Sequence, residues 1–256
     1  MSKLSQLSLR MRNRGQRLAS ESFGRTPVKL HNREPLISFS FDDYPRSALH
    51  VGGTVLEEAG VRGTYYVALS LMDTEIPAGP AFTLDDLLAT VERGHELGCH
   101  TYAHCHAWST DARTFEASVI ENACVLQRHL PGRKFTSLSY PIAWPRPGTK
   151  RRVLGHVHCC RGGGETFNCG TVDAAHLQAS FLEKHQHELD WVKRLIDASV
   201  QARGWLVLAT HDVGNAPTRL GCETTFFKSV VRHAVASGAK VLSVGEAWAF
   251  SQREAK

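Results

Sequence analysis

Two carboxylates stand side by side at Asp42 and Asp43, directly after the apolar run 36–41, in the stretch ISFSFDDYPRSALH. Adjacent like charges repel, so a pair at the end of a buried segment calls for a cation or for carboxylates in two different roles. Histidines able to join them lie further along: His100 and His104 in HTYAH, and His211 in LVLATHD. A carboxylate with two imidazoles is a ligand set for a divalent transition metal, zinc above all. One carboxylate and one histidine are then left over. Those are the two groups a hydrolysis needs as base and acid.

Such groups must be carried to one place by the chain around them. Apolar and β-branched runs predict strands at 36–41, 62–69, 96–99, 134–141, 156–160, 205–210 and 239–245. Helical periodicity falls between them at 46–60, 83–94 (opened by the N-cap candidate Thr83), 111–130, 180–204 and 223–238. Strands alternating with helices predict a parallel α/β sheet. About seven strands, several followed at once by polar residues, predict a distorted (β/α) barrel with its chemistry at the C-terminal strand ends.

The chain has 256 residues, of which 42% are hydrophobic, enough for a sizeable core. Its 30 basic and 25 acidic residues leave a net charge of +5, much of it within the first thirty residues. Residues 1–33 are expected to form a basic N-terminal arm and residues 34–256 the catalytic domain. The arm reads first as a solvated, partly helical tail, and second as a contact for an anionic partner such as a membrane surface or a phosphorylated substrate. Charge elsewhere is mixed, so no nucleic-acid groove is expected. No apolar leader core or spanning segment occurs, and seven cysteines without a repeating framework read as reduced thiols, so the expected localisation is cytoplasmic.

The motif set resembles the polysaccharide deacetylase family, the NodB-homology or carbohydrate esterase family 4 domain. SFDD (Ser40–Asp43) is similar to its first motif, and HTYAH (His100–His104) to its second, H-[ST]-x-x-H. LSYPIAWP (Leu138–Pro145) resembles the third and LVLATHD (Leu206–Asp212) the fifth, all in the family's order. The resemblance implies a NodB-like (β/α)7-type barrel and one divalent ion, zinc first, with cobalt, nickel or manganese as alternatives. It further implies Asp42 as general base, Asp43, His100 and His104 as metal ligands, and His211 as general acid. One carboxylate then offsets the cation's charge while its neighbour accepts the proton of the attacking water. A backbone N–H near Tyr140, Pro141 and Ile142 is expected to help hold the oxyanion.

The chain departs from the family at two points. The third-motif arginine that braces the base is replaced by the region Ser137, Leu138 and Ser139, and Arg161 in CCRGGG is the candidate substitute. The fourth-motif Asp-Trp pair has a superficial match in Asp190-Trp191, inside a helical pattern where the indole is expected to pack instead. Two other metal readings are weaker. HELGC (95–99) lacks the second histidine of the zincin pattern, and His156, His158, Cys159, Cys160 and Cys169 lack paired C-x-x-C spacing. The expected activity is hydrolysis of the acetamido group of an N-acetylated amino sugar, whether a sugar nucleotide, a lipid-linked saccharide or a soluble oligosaccharide. Hydrolysis of another non-peptide C–N bond, as in allantoinase-like relatives, and non-catalytic carbohydrate binding are the alternatives.

Overall fold

A computed structural model describes residues 3–142 and 144–253 of the chain. Helix α1 (Lys3–Ser22) precedes strand β1 (Leu36–Phe41), and a π-helical turn at Ala48–Gly53 runs into α2 (Thr54–Glu58). Then follow β2 (Thr64–Val67), α3 (Leu84–Glu92), β3 (Glu96–Cys99) and α4 (Ala112–His129). The next elements are β4 (Ser137–Ser139), α5 (Pro147–Val153), β5 (Cys159–Arg161) and β6 (Ser180–Phe181). The last are α6 (Leu189–Gln201), β7 (Trp205–Thr210), α7 (Thr224–Ala236), β8 (Lys240–Val241) and α8 (Val244–Ser251).

The strands form one parallel sheet in the order β6-β7-β1-β2-β3-β4-β5. Strand β1 is its axis. All six of its residues pair with β7, while β8 takes the Leu36–Ile37 end of its other edge and β2 the Ser40–Phe41 end. The sheet curls until its margins meet through one extended segment: Leu177 bridges to Arg161 of β5, and Ser180 pairs with Leu208 of β7. This is the distorted (β/α)7-type barrel expected from the alternation of elements.

Side-chain alternation along β1 explains how the barrel fills. Ile37, Phe39 and Phe41 point outward, where Phe227 of α7 meets the rings of Phe39 and Phe41, both at 5.8 Å between centroids. Ser38 and Ser40 point inward, where small residues leave room for large ones from other strands. Trp205 Nε1 donates to Ser38 Oγ at 3.0 Å, and the Tyr66 hydroxyl donates to Ser137 Oγ at 3.1 Å. The interior serines thus satisfy the polar atoms of buried aromatics that would otherwise cost about 1–3 kcal/mol each.

Helix starts follow their caps. Thr83 and Asp86 form a capping box on α3, as do Ser243 and Glu246 on α8, and Asp111 accepts from Arg113 and Thr114 N–H to open α4. The Ser243 cap corrects the expected strand 239–245, which ends at Val241 because α8 begins at Val244. The expected helix 180–204 also starts later, at Leu189. Its first residues are captured as β6, where Ser180 pairs with β7 and Phe181 N–H donates to the Glu165 carboxylate. Helix α5 was not expected at all. All seven cysteines are free thiols, and among the described residues no helix is long and apolar enough to cross a membrane.

Candidate metal and catalytic site

Most of the residues expected to do the chemistry lie at the C-terminal ends of sheet strands, with His104 in the loop after β3. Asp42 and Asp43 follow β1, His100 follows β3, Tyr140 follows β4, Arg161 ends β5 and His211 follows β7. Parity then separates the two carboxylates. Asp42 continues the inward series of Ser38 and Ser40, so its carboxylate enters the barrel mouth. Arg161, inward on β5 and 1% exposed, donates from Nη2 to Asp42 Oδ1. Its guanidinium lies 4.8 Å from the Tyr66 ring centre and 5.5 Å from that of Phe181. A guanidinium therefore stands against Asp42, supplied by β5, the strand next to β4.

Asp43 turns away by adopting φ +59, followed by Tyr44 at φ +48. Left-handed backbone costs a non-glycine residue roughly 1–3 kcal/mol unless its surroundings hold it. Tyr44 supplies the hold: its buried hydroxyl donates to Asp86 O at 2.9 Å, and its ring stacks on Phe82 at 4.9 Å. The histidine loop is bent the same way, with Thr101 at φ +59 and His104 at φ +48. Ser118 Oγ on α4 accepts from the N–H groups of Tyr102 and Ala103, and Thr101 Oγ1 accepts from Cys105 N–H. This fold-back brings the His104 ring within 5.1 Å of the His100 ring. Sequence reading missed Ser118 and Tyr44 because neither carries the chemistry; both position residues that do.

The ligand atoms of Asp43, His100 and His104 all lie within 4.8 Å of one another. Asp43 Oδ1 is 3.2 Å from His100 Nε2 and 2.9 Å from His104 Nε2, yet it meets no donor with hydrogen-bond geometry among the described residues. His100 Nδ1 faces the carbonyl of Ser139 at 2.8 Å, so that nitrogen carries the proton and the neutral ring presents its Nε2 lone pair to the carboxylate. Lone pairs converging on a buried anionic oxygen fit a cation, and the donor chemistry suits zinc or a similar divalent ion.

His211 stands on the other side of Asp43, with Nε2 3.9 Å from Asp43 Oδ2. Its Nδ1 lies 3.1 Å from the carbonyl of Leu220 and 3.7 Å from Glu183 Oε1. Asp212, next in sequence, clamps the loop that carries Leu220 by accepting from Thr218 N–H and Oγ1, both at 2.7 Å. Burial by itself would lower His211, but Glu183 together with Asp42 and Asp43 pushes it up to about 9. Glu183 was missed by sequence reading, hidden inside the expected helix 180–204; its only signal is its place just after the short apolar run ASFL.

The other candidates separate. Tyr140 is buried and its hydroxyl donates to Ala175 O, Pro141 O accepts from Ala107 N–H, and Ile142 is 65% exposed at φ +68. Tyr140 N–H is committed to Arg161 O, and proline has no N–H. Of these three, Ile142 is the one whose N–H makes no backbone hydrogen bond among the described residues. Asp190 is exposed, and Trp191 in the first turn of α6 stacks on His185 at 3.7 Å. His95 pairs with Glu57, and His156 with Glu116, so neither alternative metal set assembles. Cys159 and Cys160 point to opposite faces of β5.

A family model described as polysaccharide deacetylase matches residues 29–151. Over that span the chain matches the polysaccharide deacetylase family. The matched segment contains Asp42, Asp43, His100, His104 and Tyr140–Ile142, whereas Arg161, Glu183 and His211 join them only through the fold. No curated protein matches the chain by sequence. Among solved structures it is similar to the chitin deacetylase of the fungal pathogen Colletotrichum lindemuthianum, at 18% identity and TM-score 0.60, covering 85% of this chain and 89% of that one. It is also similar to a family 4 acetyl xylan esterase from Clostridium thermocellum in complex with a cobalt ion, at 16% identity and TM-score 0.55, covering 84% and 90%. A carbohydrate esterase family 4 pseudoenzyme from Bacillus anthracis is a further match, at 10% identity and TM-score 0.57, covering 85% and 66%. At such identities the polysaccharide deacetylase fold is shared; activity has to be argued from the site.

Proposed function

We propose that this chain is a metal-dependent N-deacetylase that hydrolyses the acetamido group of an N-acetylated amino sugar, drawn from sugar nucleotides, lipid-linked saccharides or soluble oligosaccharides. The observation that carries the reading is the division of the carboxylate pair: Asp43 faces two imidazoles, while Asp42 faces Arg161. A protein that only bound sugar would need neither a separate base nor a histidine across the site.

Asp43, His100 and His104 would hold the divalent ion, which supplies Lewis-acid polarisation of the amide carbonyl and acidification of water. Asp42 takes the proton of the attacking water, its position fixed by the Arg161 guanidinium. The Ile142 N–H faces the developing oxyanion. His211, held on its Nδ1 side by Leu220 O and Glu183, presents Nε2–H to the departing nitrogen and protonates it. A raised pKa suits that role, because the donor must arrive protonated.

The test is acetate release from a panel of N-acetylhexosamine compounds by metal-loaded protein. Asp42→Asn and His211→Ala should each lower turnover by about 10²–10⁴-fold. No acetate from any compound, or unchanged turnover in Asp42→Asn, would overturn the reading.

A further inference from the structure

We propose that α1 is an interfacial anchor that lies on an anionic phospholipid surface and brings the barrel mouth to it. The charge is the first observation. Lys3, Arg10, Arg12, Arg14 and Arg17 fall within the first twenty residues, which contain no acidic side chain. Removing those five from the chain's 30 basic residues leaves 25 against 25 acidic ones, so the first twenty residues carry a charge equal to the whole net charge; Glu21, the one acidic side chain of α1, pairs with Arg17 at 2.9 Å. Helical spacing supplies the second. Positions 4, 7, 11 and 18, all leucine or methionine, fall on one side of α1. Met11 is 68% exposed and Leu18 54%, and Phe23, one residue past the helix end, is 63% exposed. Arg12 and Arg14 are exposed as well.

The exposed apolar side chains of Met11, Leu18 and Phe23, beside exposed arginines, complement an anionic lipid surface at both levels, acyl boundary and phosphate headgroup. A nucleic acid would use the arginines but has no use for the stripe. The helix is also too polar to span a bilayer, so it lies along one.

The third observation links α1 to the site. Buried Lys150 on α5 donates to Ser20 O at 2.7 Å and Phe23 O at 3.2 Å, and pairs with Asp173 at 2.5 Å, which fixes the end of α1 to the body. Arg17 lies 5.4 Å over the ring of Trp144, in the mouth loop two residues beyond Ile142. A helix docked on lipid therefore holds the mouth beside the headgroups. The binding claim stands on α1 alone. Combined with the deacetylase reading, it favours a lipid-linked saccharide as substrate.

The experiment is co-sedimentation of the full chain with vesicles of phosphatidylcholine, with and without one-third phosphatidylglycerol. Binding is expected with the anionic vesicles only, weakening as salt rises. Arg12→Gln/Arg14→Gln should weaken it by roughly fivefold per arginine. Met11→Ser/Leu18→Ser, at exposed positions remote from the core, should weaken it by about tenfold or more while leaving acetate release from soluble substrates unchanged. Absence of binding to anionic vesicles, or binding indifferent to Met11→Ser/Leu18→Ser, overturns the proposal. So does double-stranded DNA bound as tightly as the vesicles. Because vesicle binding is read without turnover, failure here and failure of the deacetylase reading are distinguishable.

Discussion

Arg161 and Asp42 form a buried ion pair at the barrel mouth, and replacing either partner should expose how it is held. Arg161→Met keeps length and apolar volume, so the Tyr66 and Phe181 contacts remain filled while the charge is lost. Asp42 has only 6% of its side chain exposed and would be left without its cation. Stranding one member of such a pair costs about 3–5 kcal/mol, and the lost cation–π contact at 4.8 Å adds up to about 2 kcal/mol. For a chain of this size, about 1 kcal/mol corresponds to about 2–4 °C, so Tm should fall by roughly 6–28 °C. Asp42→Asn keeps an acceptor for Arg161 but removes its counter-charge, and should also destabilise. In the double variant neither charge is stranded, so its loss should fall short of the two single losses added together by about 2 kcal/mol or more. Urea unfolding of the four proteins in chelator measures this coupling. Losses that add within about 0.5 kcal/mol would mean the pair contributes nothing as a pair, and the bracing role assigned to Arg161 would fail.

Asp43→Asn should lose bound metal while Asp42→Asn retains it, as read by metal stoichiometry after dialysis; equal loss would make both carboxylates ligands and leave the base to be sought elsewhere. His211 gives a pH dependence in the metal-free protein. Its folded pKa of about 9 lies above its ordinary 6.5, so its contribution to stability is full below pH about 6.5 and is lost as pH rises through about 9. Urea unfolding from pH 6 to 10 should show wild type converging on His211→Asn at the alkaline end, with a smaller gap throughout in Glu183→Gln; a gap independent of pH would refute the attribution. Gly98→Ala places a methyl group into the Tyr66 ring, on which the Arg161 guanidinium rests, and should cost about 1–3 kcal/mol in thermal unfolding. An unchanged Tm would show that the barrel interior yields there.

The metal triad was legible because its spacing is local. His100 and His104 belong to one five-residue loop, and Asp43 ends a strand whose alternation of serine and phenylalanine already marks an inner and an outer face. The barrel was legible from alternating strands and helices, apart from residues 180–188, where helical composition gave way to pairing with β7. That one exchange hid Glu183, because a carboxylate read as helical offers no hint that it faces a histidine 28 positions later.

What the sequence determined by itself is the set of reactive types and the parity that sends Asp42 inward. Only the tertiary structure decided their partners. Arg161 lies 119 positions from Asp42, and nothing local to CCRGGG says which side of β5 faces the mouth. The curl of the sheet decides it, by bringing the inward residues of β1 and β5 together at the barrel mouth with both side chains largely buried. The separate duties of Asp42 and Asp43 have the same origin. The residues are chemically identical neighbours, and a left-handed turn held by Tyr44 and Asp86 from outside the motif aims one at an arginine and the other at two imidazoles.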